Sequence, residues 1–268
     1  MKKNQVALLL ALSALAFTHA AGPSRAAVDT PAGMSPAGLW QKAVAVHQRN
    51  SSWYPEKITV LSEVLTRRGE PSSVTQLFFS LRLGSDGRLN TELTRSLKNG
   101  EDTTAKMKAK VQIRDSRQGE EAGDPDDYSV SISDSPFNPG RQTAVSFSAS
   151  NERHLLFGRR CQRFDFTYQT AIVRNGQKEK LTWSGMAWLE EESGIPVKLE
   201  FSLAPLPPRI RSLWAIYLYE KARPDKWVLS RVTISGHGGF LFIKKRFRST
   251  TTLSGYRRSP APAKEATK

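Results

Sequence analysis

The sequence predicts an all-β protein, built as a single antiparallel sheet or a barrel-like sheet with little helix. Two observations favour this class. Apolar and polar residues alternate with a period of two through most of the chain from Ile58 onward, which is the pattern of strands with one buried face. Short clusters of Gly, Asn, Asp and Pro separate these stretches, and such clusters form turns between successive antiparallel strands.

The N-terminus has the pattern of a cleavable secretory signal. Lys2 and Lys3 precede an apolar run at 6–17. Thr18 and Ala20 then place small side chains at the two positions that signal peptidase reads. The run is shorter than the ~20 residues that span a bilayer, which favours cleavage over an uncleaved anchor. No cysteine follows the run, so we expect export to the periplasm without a lipid anchor.

Four parts of the chain are predicted: a signal peptide at 1–21, a flexible linker at 22–34, a single β domain at 35–258 and a disordered tail at 259–268. The linker is rich in Gly, Pro and Ala, and the tail is rich in Pro, Ala and Lys. Such segments bury too little apolar surface to fold alone.

The one cysteine, Cys161, cannot form an internal disulfide. It opens a strand-like stretch, so a buried small hydrophobe is its favoured role. An intermolecular bridge or a reactive thiol is the alternative.

The chain carries a formal net charge of +15, to which Lys2 and Lys3 of the signal contribute two. In the cell envelope, the available polyanions are phospholipid headgroups, lipopolysaccharide and cell-wall polymers. The positive charge therefore indicates transient contact with a membrane surface and no contact with nucleic acid. The alternative interpretation is that the positive charge only keeps the protein soluble.

The clearest helix is predicted to begin after Ser35 and to end near Arg49. Ser35 is a typical N-cap, and Pro36 suits the first helical position. Leu39 and Ala43 then begin an apolar series at helical spacing, so we expect one short amphipathic helix here.

The first half of the chain predicts a hairpin, because a Gly- and Asp-containing turn at 84–87 separates alternating residues at 76–83 from those at 89–97. A third segment of period two lies at 106–113, where Lys alternates with Met, Ala and Val. The Gly- and Pro-containing region at 119–141 leaves room for one short helix, whose position the pattern does not fix.

The second half predicts a continuous antiparallel meander. Its segments of strand-like periodicity are 164–172, 181–189, 197–203, 213–219, 227–235 and 239–252. Asn175-Gly176 is a strong two-residue hairpin turn, and residues 190–194 turn the chain again.

No catalytic constellation stands out in the sequence. The histidines after the signal, His47, His154 and His237, lack the paired spacings of metal-binding helices. No nucleophile elbow, phosphate-binding glycine loop or dinucleotide-binding pattern is present. The glycines after His237 are typical of a bulge or turn, and the glutamates at 190–192 are typical of a solvated turn. The sequence therefore predicts a protein that is not an enzyme and that holds no metal and no cofactor.

Two segments, 213–219 and 239–243, are apolar on both faces. A half-solvated antiparallel strand should alternate, so these segments either have both faces covered or line an apolar cavity. The scarcity of helical sequence favours the cavity, because little material is available to cover a second face. The groove is predicted to be lined by Phe164, Phe166, Trp183, Trp214, Ile216, Phe240 and Phe242.

A basic run, Lys244, Lys245 and Arg246, follows the second apolar segment directly. Next to an apolar lining, it is predicted to contact an anionic headgroup. As a charge run alone, it would instead protect an exposed strand edge from aggregation. The sequence leaves both interpretations open.

Residues 185–198, Gly-Met-Ala-Trp-Leu-Glu-Glu-Glu-Ser-Gly-Ile-Pro-Val-Lys, carry a family resemblance. They resemble the hairpin G-x-A-W-(aliphatic)-acidic-x-x-(Ser/Thr)-G-x-P-x-K of periplasmic proteins with the LolA-like fold. These include the outer-membrane lipoprotein-sorting proteins and the lipid-sensing N-terminal domains of anti-sigma-factor regulators. Residues 156–166 are similar to the strand that leads into this hairpin, and residues 247–256 to the final strand of the family.

The resemblance implies a mainly β fold, in which a curved antiparallel sheet or half-barrel is wrapped around one to three short helices. It also implies a non-enzymatic periplasmic carrier or sensor that binds a lipid or lipoprotein acyl chain in an apolar groove. The implied partners are a lipid or lipidated protein, and an inner-membrane transport complex or envelope receptor. The alternative is a basic envelope module that docks on a partner protein or an anionic polymer without a lipid cavity.

Overall fold

The computed structural model describes residues 35–84, 89–117, 135–174, 177–206, 210–223, 226–240 and 243–259. Over these residues, eleven strands form one antiparallel sheet. The strands are β1 Trp53–Leu65, β2 Pro71–Leu83, β3 Leu89–Lys98, β4 Glu101–Asp102, β5 Val145–Leu156, β6 Arg159–Arg174, β7 Gln177–Glu190, β8 Pro196–Ala204, β9 Ile210–Arg223, β10 Lys226–Phe240 and β11 Ile243–Arg258. The helices are α1 Pro36–Asn50, α2 Thr104–Arg117 and a 3₁₀ helix at Pro139–Ala144. The predicted mainly β half-barrel with one to three short helices is confirmed.

The strand order across the sheet is β4-β3-β2-β1-β11-β10-β9-β8-β7-β6-β5. From β5 to β11 each strand pairs with its neighbour in the chain, which is the predicted meander. Strand β1 pairs with β2 on one side and with β11 on the other, where Trp53 lies opposite Arg258. The two edge strands, β4 and β5, are consecutive in the chain.

The predicted hairpins are present as strand pairs. Leu83 lies opposite Leu89, and Arg174 lies opposite Gln177. The residues of these two turns that the sequence singled out at 85–87 and 175–176 lie outside the described residues. So do the predicted signal and linker at 1–34 and all of the predicted tail except Ser259.

Helix α1 begins where the sequence predicts. The Oγ of Ser35 accepts a hydrogen bond from the backbone N–H of Gly38 at 3.2 Å, and Pro36 occupies the first turn. Leu39, Trp40 and Ala43 are buried against the sheet. The side chain of Trp40 is 0% exposed, so the helix contributes one large aromatic group to the centre of the core.

The interpretation of residues 106–113 as a period-two segment is wrong, because they lie inside helix α2. Lys, Ala and Met make up five of its eight residues, and all three have high helix propensity. The carboxylate of Asp102 accepts a hydrogen bond from the N–H of Thr104 at 2.8 Å, close to the start of the helix. Propensity and this local bond outweigh the alternation. The short helix that the sequence left unplaced is the 3₁₀ helix, which the side chain of Asn138 caps.

The main core lies on the face of the sheet that packs against α1, here called the inner face; the other is the outer face. Trp40 stacks on Phe147 with ring centres 4.3 Å apart, and its ring also lies 4.8 Å from that of Phe137. Phe164 and Phe166 of β6 pack beside Trp40. Each aromatic ring buries a large apolar area, so this cluster fixes α1 on strands β5 and β6.

The β7–β8 hairpin shows why its glycines are needed. A Cβ atom on Gly185 would lie 2.6 Å from the Cα of Phe201, so no side chain fits there. Gly194 has φ +70°, and α1 packs directly on it, so that a Cβ atom on Gly194 would lie 2.9 Å from the carbonyl oxygen of Leu39. Trp188 and Leu189 lie on opposite faces of the sheet: Leu189 belongs to the main core and Trp188 to a small outer cluster with Cys161.

Candidate functional site

Three of the predicted groove residues lie in the sealed part of the core. Phe164, Phe166 and Trp183 are buried on the inner face beneath α1 and the segment that contains the 3₁₀ helix. Their rings contact other core rings, such as that of Phe201, which lies 5.3 Å from Trp183 between ring centres. These residues build the core, and a ligand role for them stays a prediction.

The structure does not bring Trp214 and Ile216 together with those three residues. Ala215 and Tyr217 of the same strand belong to the inner-face core, so their neighbours Trp214 and Ile216 lie on the outer face. Trp214 is 37% exposed there. Strand β9 is therefore apolar on both faces, as its sequence indicates. However, one groove cannot contain all the predicted lining residues, because they are divided between two faces of the sheet.

The remaining predicted residues lie near the β10–β11 connection. Phe240 pairs with Ile243 at the ends of these strands, and Phe242 lies outside the described residues. In β11, Lys244 is opposite Gly239, and the next two residues, Lys245 and Arg246, are exposed. The structure therefore places the basic run at one end of the sheet, and its contact with a headgroup stays a prediction.

The inner face also carries apolar side chains that α1 does not seal. They pack against the main core but remain partly exposed: Leu77 and Phe79 of β2, Leu213 of β9 and Phe247 of β11. We call these four residues the inner-face patch. The ring of Phe247 lies over Gly236, because a Cβ there would be 2.7 Å from the Cε1 atom of the ring.

Sequence reasoning assigned these residues to alternating strands and missed their exposure. The alternation in 76–83 does place Leu77 and Phe79 on one face. The position of helix α1, which packs on the other half of the inner face, decides which apolar side chains stay partly exposed. No local sequence pattern encodes that position.

A basic cleft of about 720 Å³ lies where β1 begins and β11 ends. It is lined by Trp53, Arg223, Lys226, Arg257 and Arg258. The guanidinium carbon of Arg223 lies 5.2 Å from the centre of the Trp53 ring, within the range of a cation–π interaction. Strand pairing explains the convergence, because Trp53 is opposite Arg258 and Arg223 is opposite Lys226. The sequence did not predict this cleft, since its residues come from strands that are far apart in the chain.

The titratable groups that could suggest chemistry are either buried or held in ion pairs. Burial raises the pKa of the Cys161 thiol to about 11, which disfavours the thiolate and fits the predicted buried role. Burial lowers the pKa of His47 to about 4. Glu190 pairs with Arg159 at 2.6 Å, and Glu191 with Arg153 at 2.5 Å, at the hairpin turn where the sequence placed them.

The part of the chain that the structure describes contains no group of three His, Cys, Asp or Glu side chains that could hold a metal ion. Across the same residues, no helix is both long and apolar enough to cross a membrane.

The fold is thus a half-barrel of antiparallel strands around short helices, with an inner-face patch and a basic cleft. No family model and no curated protein matches the sequence. Among solved structures, a DUF1329 family protein from Desulfovibrio piger is similar at 9% identity and TM-score 0.33, covering 85% of this chain and 94% of that one. MucB in complex with MucA(peri) is similar at 10% identity and TM-score 0.23, covering 85% of this chain and 100% of that one. At these values, neither a family nor an activity carries over to this chain.

Proposed function

We propose that this protein is a non-enzymatic periplasmic carrier or sensor that binds the acyl chain of a lipid or of a lipidated protein. Its ligand site in this proposal is the inner-face patch. The observation that carries the proposal is a contrast within one face of the sheet. Apolar side chains of the patch remain partly exposed, whereas most of the aromatic side chains beneath α1, such as Phe164 and Phe166, are buried.

The length of the patch suits an extended acyl chain. Phe79 is opposite Ile58, which is opposite Leu253 in β11. Phe247 precedes Leu253 by six residues in that strand, and a strand rises about 3.3 Å per residue, so the patch runs about 20 Å along the sheet. One leaflet of a bilayer has a hydrocarbon thickness of about 15 Å, half that of the whole core. The patch is therefore long enough for one chain.

The expected affinity suits a protein that must release its ligand. Each methylene group that leaves water contributes about 0.8 kcal/mol. Ten such groups would contribute about 8 kcal/mol, which corresponds to a micromolar dissociation constant before the entropic costs of association are subtracted. Two chains or a longer contact would offset those costs.

The location and the partners in this proposal come from the sequence. The signal pattern at 1–21 supports export, and the resemblance at 185–198 supports a role in handling lipids or lipoproteins. The ligand would then pass between an inner-membrane transport complex and an envelope receptor.

Two neighbouring phenylalanines of β2 provide a matched test. Phe79 belongs to the inner-face patch, and Phe78 points to the outer face because side chains alternate along a strand. Protein purified from the periplasm would be analysed by native mass spectrometry and by lipid extraction. The wild type and the Phe78→Ser variant are expected to carry lipid, and Phe79→Ser is expected to carry at least tenfold less.

Circular dichroism and denaturant titration would establish that both variants fold. Wild-type protein that is free of lipid and fails to take up a fluorescent fatty acid would overturn the proposal. Equal lipid content in the two folded variants would move the site away from the inner-face patch and also count against it.

The second candidate is a basic envelope module that docks without a lipid cavity, and the basic cleft is the observation that favours it. Binding to anionic partners would then fall steeply with salt and would be unchanged in Phe79→Ser. The cleft does not require the patch, and the two sites can be tested separately.

A further inference from the structure

Two unusual surface features lie at the same end of the sheet, where β1 begins and β11 ends. One is the basic cleft. The other is the tip of the β5–β6 hairpin, where Leu155 and Phe157 are each 73% exposed. Arg159 connects them: its guanidinium carbon lies 3.9 Å from the ring centre of Trp227, and Trp227 directly follows Lys226 of the cleft.

The hairpin tip holds an aromatic ring outward in a strained turn. Leu156 lies opposite Arg159, which leaves Phe157 and Gly158 as the two turn residues. Their φ angles are +52° and +75°. Such turns favour Asn-Gly, and a bulky residue in the left-handed region is a strained outlier. Outliers of this kind cluster at functional surfaces, so the strained and exposed Phe157 marks the hairpin tip as a candidate contact surface.

This end of the molecule carries more positive charge than its ion pairs neutralise. The ion pairs are Glu56–Arg257, Glu190–Arg159 and Glu191–Arg153. Three exposed arginines have no carboxylate partner among the described residues: Arg160, Arg223 and Arg258. They outnumber Glu192 and Glu220, the exposed carboxylates near this end for which the described residues provide no ion pair. Arg160 lies opposite Leu155 in the hairpin, so positive charge and exposed apolar surface are adjacent.

We propose that this end of the molecule docks on an anionic lipid bilayer. Leu155 and Phe157 insert among the acyl chains, while the basic cleft receives lipid phosphate groups. Guanidinium groups suit this role because they bind phosphate through two parallel hydrogen bonds. Trp53 fits the same surface, since tryptophan is enriched at the level of lipid headgroups.

The apolar tip distinguishes a membrane from a soluble phosphate compound. A soluble anion could occupy the cleft, but it would offer no apolar phase to Leu155 and Phe157. Exposed apolar side chains beside basic ones are typical of proteins that lie on a membrane surface. The docking surface is at the opposite end of β11 from Phe247, and its proposal does not depend on acyl-chain binding by the inner-face patch.

Vesicle co-sedimentation tests the proposal directly. The full mature chain would be mixed with vesicles of phosphatidylcholine alone, or of phosphatidylcholine with phosphatidylglycerol. We expect binding only to the anionic vesicles. The double variant Leu155→Ser/Phe157→Asn should lower the partition coefficient about tenfold or more, and Asn is compatible with the left-handed turn. Arg223→Gln/Arg258→Gln should lower it about 25-fold, at about fivefold for each charge.

Matched controls lie elsewhere on the sheet. Arg68→Gln removes an exposed charge at the opposite end, and Trp214→Ser removes an exposed apolar side chain from the outer face. Both should bind anionic vesicles like the wild type. Excess glycerol 1-phosphate should leave vesicle binding unchanged.

The proposal is overturned if wild-type protein does not bind anionic vesicles, or if the tip variant binds as well as the wild type. It is also overturned if Arg68→Gln weakens binding as much as the cleft variants, because that would indicate attraction by net charge alone. Displacement by glycerol 1-phosphate would overturn it too, because the cleft would then belong to a soluble phosphate compound.

Discussion

The inner face of the sheet has two halves that differ in what covers them. Under strands β5 to β8, helix α1 and the 3₁₀-helix segment bury the large aromatic rings of the core, with Trp40 at the centre. Under β1, β2 and β11, the side chains alternate in the same way; Ile58 and Leu253 are buried there, but Phe79 and Phe247 remain partly exposed. The comparison teaches that the alternating sequence of a strand gives the sheet an apolar face. The packing of helices then decides whether that face becomes core or stays available for binding.

The sealed half should depend on one side chain above all. Replacing Trp40 with Ala removes the fully buried ring that stacks on Phe147 and should lower the free energy of unfolding by about 3–5 kcal/mol. Urea denaturation measures this loss. Trp214→Ala, on the outer face, should cost clearly less. If the two substitutions cost the same, α1 would not be the element that seals this half.

Two glycines compare the halves directly. A Cβ on Gly185 would overlap the backbone oxygen of Glu200 in the sealed half, and a Cβ on Gly236 would overlap the partly exposed ring of Phe247 and lie 2.8 Å from the backbone oxygen of Ser212. The ring can swing outward, and the backbone overlap that remains at Gly236 is milder than the overlap at Gly185. Gly185→Ala should therefore cost about 3 kcal/mol or more, and Gly236→Ala about 1–2 kcal/mol, in denaturant titrations. A larger cost for Gly236→Ala would contradict the assignment of an open half.

Acidification should loosen the sealed half. Burial lowers the pKa of His47, in α1, to about 4 from an ordinary value of 6.5. The unfolded chain therefore binds this proton first, so the stability that neutral His47 contributes is present above pH 6.5 and is lost as the pH falls towards 4. We expect a loss of up to about 3 kcal/mol over this window, because one pKa unit corresponds to about 1.4 kcal/mol. His47→Gln should flatten the profile of unfolding free energy against pH, and an unchanged slope would refute the assignment.

Much of the fold could be predicted from the sequence, because its signals are local. Alternation placed Leu77, Phe164 and Phe166 on the inner face, and the Ser35-Pro36 pair placed the start of α1. The error at 106–113 has a physical cause as well. Alternating Lys and apolar residues satisfy period two, but helix propensity and the bond from Thr104 to Asp102 act on the same residues.

The candidate site was harder to predict because it depends on contacts between distant residues. Phe164, Phe166 and Trp183, which the sequence predicts to line a groove, are large apolar side chains. They form the core beneath Trp40 rather than a free surface. The basic cleft joins Trp53 to Arg258, positions that no local pattern connects. The exposed Phe157 had a local signal that could have identified it, since a Phe-Gly turn between strands is unusual.

The pairing of β1 with β11 has a consequence for how the chain reaches its native state. The first strand of the sheet hydrogen-bonds to the last one, about 200 residues later, and bonds of such separation slow folding. In a chain that emerges N-terminus first, β1 to β3 must wait with an open edge until β11 arrives. Open edges invite pairing with other chains. A protein that ends before residue 243 should therefore aggregate. For the full chain, this topology requires that the open edge of β1 be protected until β11 pairs with it.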